Sequence, residues 1–95
     1  MRKLYEFQVN VEAFTESVIV GFQKPKLEAV QQYRSYFEQL NNAKLKRLGV
    51  RLIDECTSAF YMFQIGTSLE KLNKKAELVD SLRVDFFREV RKCMS

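Results

Sequence analysis

Leu45, Leu48, Leu52, Cys56, Ala59 and Phe63 recur at steps of three and four, so a helix through this segment carries all of them on one face. A stripe of that length has to be covered by other helices, and this need constrains the fold more than any other feature of the chain. Gly66 stands where a left-handed residue would end such a helix, predicting a segment from about Ala43 to Ile65. Gly49 lies inside it, where glycine costs about 1 kcal/mol relative to alanine. It marks either a close approach by a neighbouring helix or a break near Leu48.

Two further segments supply partners of the same kind. Leu69, Leu72, Ala76, Val79, Leu82, Phe86, Val90 and Cys93 form the apolar line of a helix that begins at a Thr67–Glu70 capping-box pattern. Leu27, Val30, Tyr33, Phe37 and Leu40 form another, running to about Asn41; Pro25 suits its first turn, and Asn41 or Asn42 can cap the helix that follows. Residues 3–23 carry two periods at once. Leu4, Phe7, Val11, Phe14, Val18 and Phe22 read as a helix face, whereas Tyr5, Phe7, Val9, Val11 and Ala13 alternate as in a strand. No Gly, Asn or Pro stands at the turn a hairpin would need near residues 12–16, so the helical reading is preferred. The expected fold is a single all-α domain over residues 1–95, a small up-and-down bundle of about four helices. An α+β fold with an N-terminal β-hairpin packed on three helices is the alternative.

The chemistry available is narrow. The chain has no histidine, which removes the commonest general acid–base group and the Ser-His and Cys-His nucleophile pairs. Cys56 and Cys93 are far apart, without CxxC spacing, and read as buried thiols rather than metal ligands or a disulfide. Asp54 and Glu55 are adjacent and must diverge on a helix, and Glu77, Asp80 and Glu89 alternate with cations as solvated ion pairs do. Gly21, Gly49 and Gly66 are isolated, so no phosphate loop is present. No catalytic residue, metal site or cofactor is expected. Met1, Arg2 and Lys3 are followed by Glu6, Glu12 and Glu16 instead of an unbroken apolar run, so neither a signal peptide nor a membrane span is expected. A reducing, cytoplasmic setting is the default for such cysteine usage.

Basic residues are the one set able to carry function. The net charge is +4, and the whole excess lies in residues 41–95, which hold 11 basic and 7 acidic side chains. Lys44, Arg47 and Arg51 share one shoulder of the third helix, with Lys46 beside them, and Arg83, Arg88, Arg91 and Lys92 lie on the fourth. If these helices are antiparallel, Lys44, Arg47, Arg88, Arg91 and Lys92 converge as a patch at one end of the bundle. Such a patch fits an RNA or DNA backbone; the competing role for the same residues is solubility and helix-terminus charge. Phe60 and Phe63 are read as core, and Tyr61 as the exposed aromatic of that segment.

Leu48-Gly49, Arg51, the apolar helix to Gly66, Lys71, Leu72, Ala76 and the Leu82-Arg83 to Phe86-Phe87-Arg88 run resemble the accessory variability determinants of diversity-generating retroelements and their relatives encoded in 23S rRNA intervening sequences. The resemblance covers about half the chain. It implies a four-helix bundle that assembles as a homo-oligomeric ring and binds a reverse transcriptase with its template RNA, with Arg51, Arg83 and Arg88 as polyanion or partner contacts. Small size by itself also favours oligomerisation or docking on a larger protein. Two functions follow as expectations: a non-enzymatic RNA- or DNA-binding accessory protein within a ribonucleoprotein, or a protein-interaction module that docks through an apolar aromatic face.

Overall fold

The computed structural model of the chain describes residues 2–21 and 23–94. Four helices are present among them and no strand: α1 Arg2–Ile19, α2 Leu27–Glu38, α3 Ala43–Gln64 and α4 Leu69–Met94. They run up, down, up and down. Asn42, before α3, donates from Nδ2 to Cys93 Sγ near the end of α4 at 3.2 Å, and Lys44 meets Glu89, so α3 and α4 are antiparallel. Arg34 of α2 reaches Asp54 of α3, and Glu12 of α1 reaches Arg83 of α4. Helix α3 packs against all three others and is the axis of the bundle.

The first helix resolves its two competing periods in favour of 3.6. Val11 and Val18 are buried, whereas Val9 and Ala13, members of the alternating set, face solvent. The side chains of Leu4, Phe7 and Phe22 lie outside the described residues. The buried line also includes two polar residues that apolar periodicity overlooked, Gln8 and Thr15, each 2% exposed. Thr15 satisfies its hydroxyl by donating to Glu12 O at 2.9 Å. Gln8 Nε2 has no partner among the described residues.

Local chemistry sets the helix ends. Asn42 caps α3 by accepting the Leu45 N–H at 3.0 Å. At the other end Gly66 has φ +80°, its N–H donates to Phe63 O, and Thr67 N–H donates to Met62 O, the paired bonds of a Schellman motif. The cap of α4 is Ser68, not the expected Thr67: Ser68 Oγ accepts the Lys71 N–H at 3.4 Å, while the Thr67 backbone N–H closes α3 on Met62 O. Pro25 is likewise displaced from its expected place. It is buried before Lys26, the N-cap of α2, instead of standing in the first turn. Helix α2 ends at Glu38, and Leu40 packs from the connection that follows.

The core centres on Phe37, Leu52, Ile53, Phe86 and Val90, none of which is measurably exposed. Phe37 lies across α3 at Gly49, where any Cβ would overlap its ring, and meets Phe86 of α4 edge to face with centroids 5.4 Å apart. Gly49 therefore marks a close approach and not a break; α3 runs through it unbroken. Three residues read as core are instead exposed: Leu27 (70%), Phe63 (48%) and Leu69 (73%). All three sit at the end of the bundle formed by the α3–α4 turn, where they are only partly covered.

Alanine at position 49 is expected to destabilise the fold by about 1–2 kcal/mol, because overpacking against a fully buried ring outweighs the gain of about 1 kcal/mol in helix propensity. In a Phe37→Ala background the same Gly49→Ala change should instead be neutral or stabilising. Urea unfolding of the four proteins in this double-mutant cycle checks both signs.

Candidate nucleic-acid interface

The eight basic residues singled out in the sequence fall into three groups once the helices pack. Lys46, Arg47 and Arg51 stand exposed on α3 and form no ion pair among the described residues. With Val50 they line a shallow depression of about 730 Å³ beside the end of α2. Its acidic rim is mostly neutralised: Asp54 is engaged by Arg34 at 3.4 Å and Glu55 by Lys75. Among the described residues Glu38 is the one rim carboxylate without a cation, so three free cations face one free anion.

Lys44 and Lys92 converge from α3 and α4 on the same atom, Glu89 Oε2, at 3.4 and 3.9 Å. Glu89 is only 12% exposed, and this clamp joins the start of α3 to the end of α4. Both lysines remain largely exposed, so the group keeps one positive charge while serving the packing.

Arg83, Arg88 and Arg91 line a third surface with Val84 and Phe87 on the outer side of α4. Arg83 acts as a strut. Its guanidinium donates to Asp80 Oδ1 at 2.8 Å and to Glu12 Oε1 at 3.2 Å, tying α4 to α1. The hydrogen bonds and charge of Asp80, then those of Glu12, hold it above the usual arginine value. Arg88 pairs with Asp85 at 3.8 Å, and Arg91 lies over the Phe87 ring, 5.4 Å from its centroid. The antiparallel course of α3 and α4 brings Lys44, Arg47, Arg88, Arg91 and Lys92 to one end of the bundle, where they take different local partners. Lys44 and Lys92 meet, Arg47 joins Lys46 and Arg51, and Arg88 and Arg91 flank Phe87.

Linear spacing identified the cations but not which of them the fold consumes. The Asp80–Arg83, Asp85–Arg88 and Glu89–Lys92 pairs are legible as steps of three. The claims of Glu89 on Lys44 and of Glu12 on Arg83 come from other helices and leave no local signal. Asp54 and Glu55 diverge as adjacency requires, one toward α2 and the other toward α4.

The described thiols and phenols offer little chemistry. Burial pushes the Cys56 thiol up to about 12, and its Sγ donates to Thr15 O at 4.0 Å, so it stays protonated and unreactive. Cys93 is only partly buried and accepts a hydrogen bond from Asn42. Burial raises the Tyr33 hydroxyl as well. Among the described residues no helix is long and apolar enough to cross a membrane. No protein-family model, curated protein or solved structure matches the chain.

A thiol-directed reagent at mildly alkaline pH should label Cys93 alone in the folded protein and both cysteines after denaturation, as mass spectrometry would show. Because the folded Cys56 value lies above that of the free thiol, its contribution to stability is complete below pH 9 and is lost as pH rises toward about 12. Cys56→Ala should lower stability at neutral pH but flatten the alkaline decline, read from unfolding curves at pH values across that window.

Proposed function

We propose that the chain is a non-enzymatic accessory protein that binds the backbone of a nucleic acid, with Lys46, Arg47 and Arg51 of α3 as its principal phosphate contacts. The observation that carries this reading is their freedom. They are exposed, adjacent and uncommitted to any carboxylate among the described residues, whereas Arg83, Arg88, Lys44 and Lys92 are drawn into ion pairs and Arg91 lies over the Phe87 ring. Cations held without internal partners keep their full charge for an incoming polyanion and lose no existing contact when it arrives. The lysines at Glu89 and the arginines beside Phe87 add positive field around the free set.

Contacts of this kind position a phosphate backbone without reading its sequence. RNA is the preferred ligand, in a ribonucleoprotein that includes a reverse transcriptase or another larger protein, and this narrower part rests on the resemblance to accessory variability determinants. A second reading, a module that docks on another protein through an apolar face, is favoured by a separate observation: Phe63, Ile65 and Leu69 are exposed together at the α3–α4 turn.

Fluorescence anisotropy with a structured RNA and a duplex DNA, titrated between about 50 and 200 mM salt, distinguishes the two readings. Phosphate binding should weaken steeply with salt. Replacing Lys46, Arg47 and Arg51 by Gln should reduce the salt slope by roughly two to three while leaving the helical circular dichroism intact. Salt-independent affinity, or an unchanged slope in the triple variant, would defeat this assignment.

A further inference from the structure

The exposed apolar residues are not scattered. Val20, Leu27, Tyr61, Phe63, Ile65 and Leu69 are each 44–79% exposed. They come from the end of α1, the start of α2, the end of α3 and the start of α4, which the up-and-down topology brings to one end of the bundle. Only Val9 and Val84 among the described large apolar residues are comparably exposed elsewhere. Leu27 and Tyr61 share one recess, and Phe63 and Leu69 share another, a cleft of about 270 Å³. The face is therefore indented, and it lies opposite the end that carries Lys44, Arg47 and Lys92.

We infer that this face is the interface of a symmetric dimer in which two copies of the chain meet end to end through their α3–α4 turns. The magnitude fits. At these exposures the six side chains present roughly 600–950 Å² of surface, taking about 150–250 Å² for a large side chain. A standard interface buries about 800 Å² per partner, somewhat more than half of it apolar, so one end of one copy supplies the apolar share of one side. The end of the bundle measures about 24 × 20 Å, broad enough for such a contact.

The area favours a second copy as the occupant, and a rim of mixed charge admits one. The rim carries Lys24, Lys26 and Lys71 together with Glu28, none ion-paired among the described residues. A two-fold axis sets each residue of one copy against a different residue of the other, so a rim holding both signs can complement itself. The end-to-end arrangement also sends the basic ends outward, where the +4 charges of the two copies repel least.

The inference does not depend on nucleic-acid binding. Sedimentation velocity on the purified chain without nucleic acid, from low to high micromolar concentration, should show a monomer–dimer equilibrium. Small-angle scattering of the dimer should give a longest dimension of about 80 Å, twice the 41 Å long axis. Ile65→Lys combined with Leu69→Lys should raise the dissociation constant at least about 100-fold with unchanged helix content, since both positions are more than 70% exposed. A chain that stays monomeric throughout, a compact dimer, or a dimer that survives the double substitution would overturn the inference. So would a monomer that binds neutral phosphatidylcholine vesicles through Ile65 and Leu69, which would assign the face to a lipid surface. Salt-sensitive RNA binding by a chain that never dimerises would leave the proposed function standing and remove this inference alone.

Discussion

Phe37 rests in the space that a side chain at position 49 would fill, and from there it reaches Phe86 on the far helix. This contact joins α2, α3 and α4 in one place. Helix α2 has only 12 residues, too few to be stable alone in water, so its placement depends on a deeply buried anchor. The glycine makes that anchor available at a cost in helix propensity, and the buried aromatic more than offsets it, since removing a core phenylalanine costs about 3–5 kcal/mol. The antiparallel course of α3 and α4 along this junction then determines which charged side chains can meet.

The electrostatics follow from that packing. Glu89 draws one lysine from each of two helices, and Glu12 draws Arg83 across from α4, so these cations act as fasteners as much as surface charge. Each pair is partly exposed and contributes modestly, within the range of about 0–1 kcal/mol for surface ion pairs. Their larger effect is selective. By engaging some cations internally, the fold leaves Lys46, Arg47 and Arg51 as a small uncommitted set on the face between α2 and α3. Part of the excess charge of residues 41–95 thus stands uncommitted at one side of α3.

The molecule that results has unlike ends. One end gathers the starts and finishes of helices rich in lysine and arginine; the other gathers exposed leucine, isoleucine, valine and aromatic side chains. Up-and-down topology produces this separation without any special device, because alternating helices deliver alternate termini to the same end. A polyanion on the face between α2 and α3 and a second copy at the α3–α4 turn would occupy separate surfaces, so neither contact obstructs the other.

Much of this architecture is legible in the chain itself. The three-and-four spacing of Leu45 through Phe63 demands a covered helix, Asn42 and Gly66 supply its ends, and the lack of turn residues near Glu12 to Glu16 leaves α1 helical. These are local properties, set by backbone geometry and by side chains within a turn of one another. Periodicity failed where burial depends on another element. Leu27, Phe63 and Leu69 satisfy the helical spacing yet remain exposed, because a stripe records which face a residue is on and not whether a neighbour extends far enough to cover it. Gln8 and Thr15 fail the apolar test and are buried all the same, because α1 happens to press that side against the bundle. The same division holds for the charges. Composition and spacing determined that α3 and α4 would be basic; only the tertiary structure decided which cations are free, since Glu12 and Glu89 reach their partners across more than 40 positions of sequence.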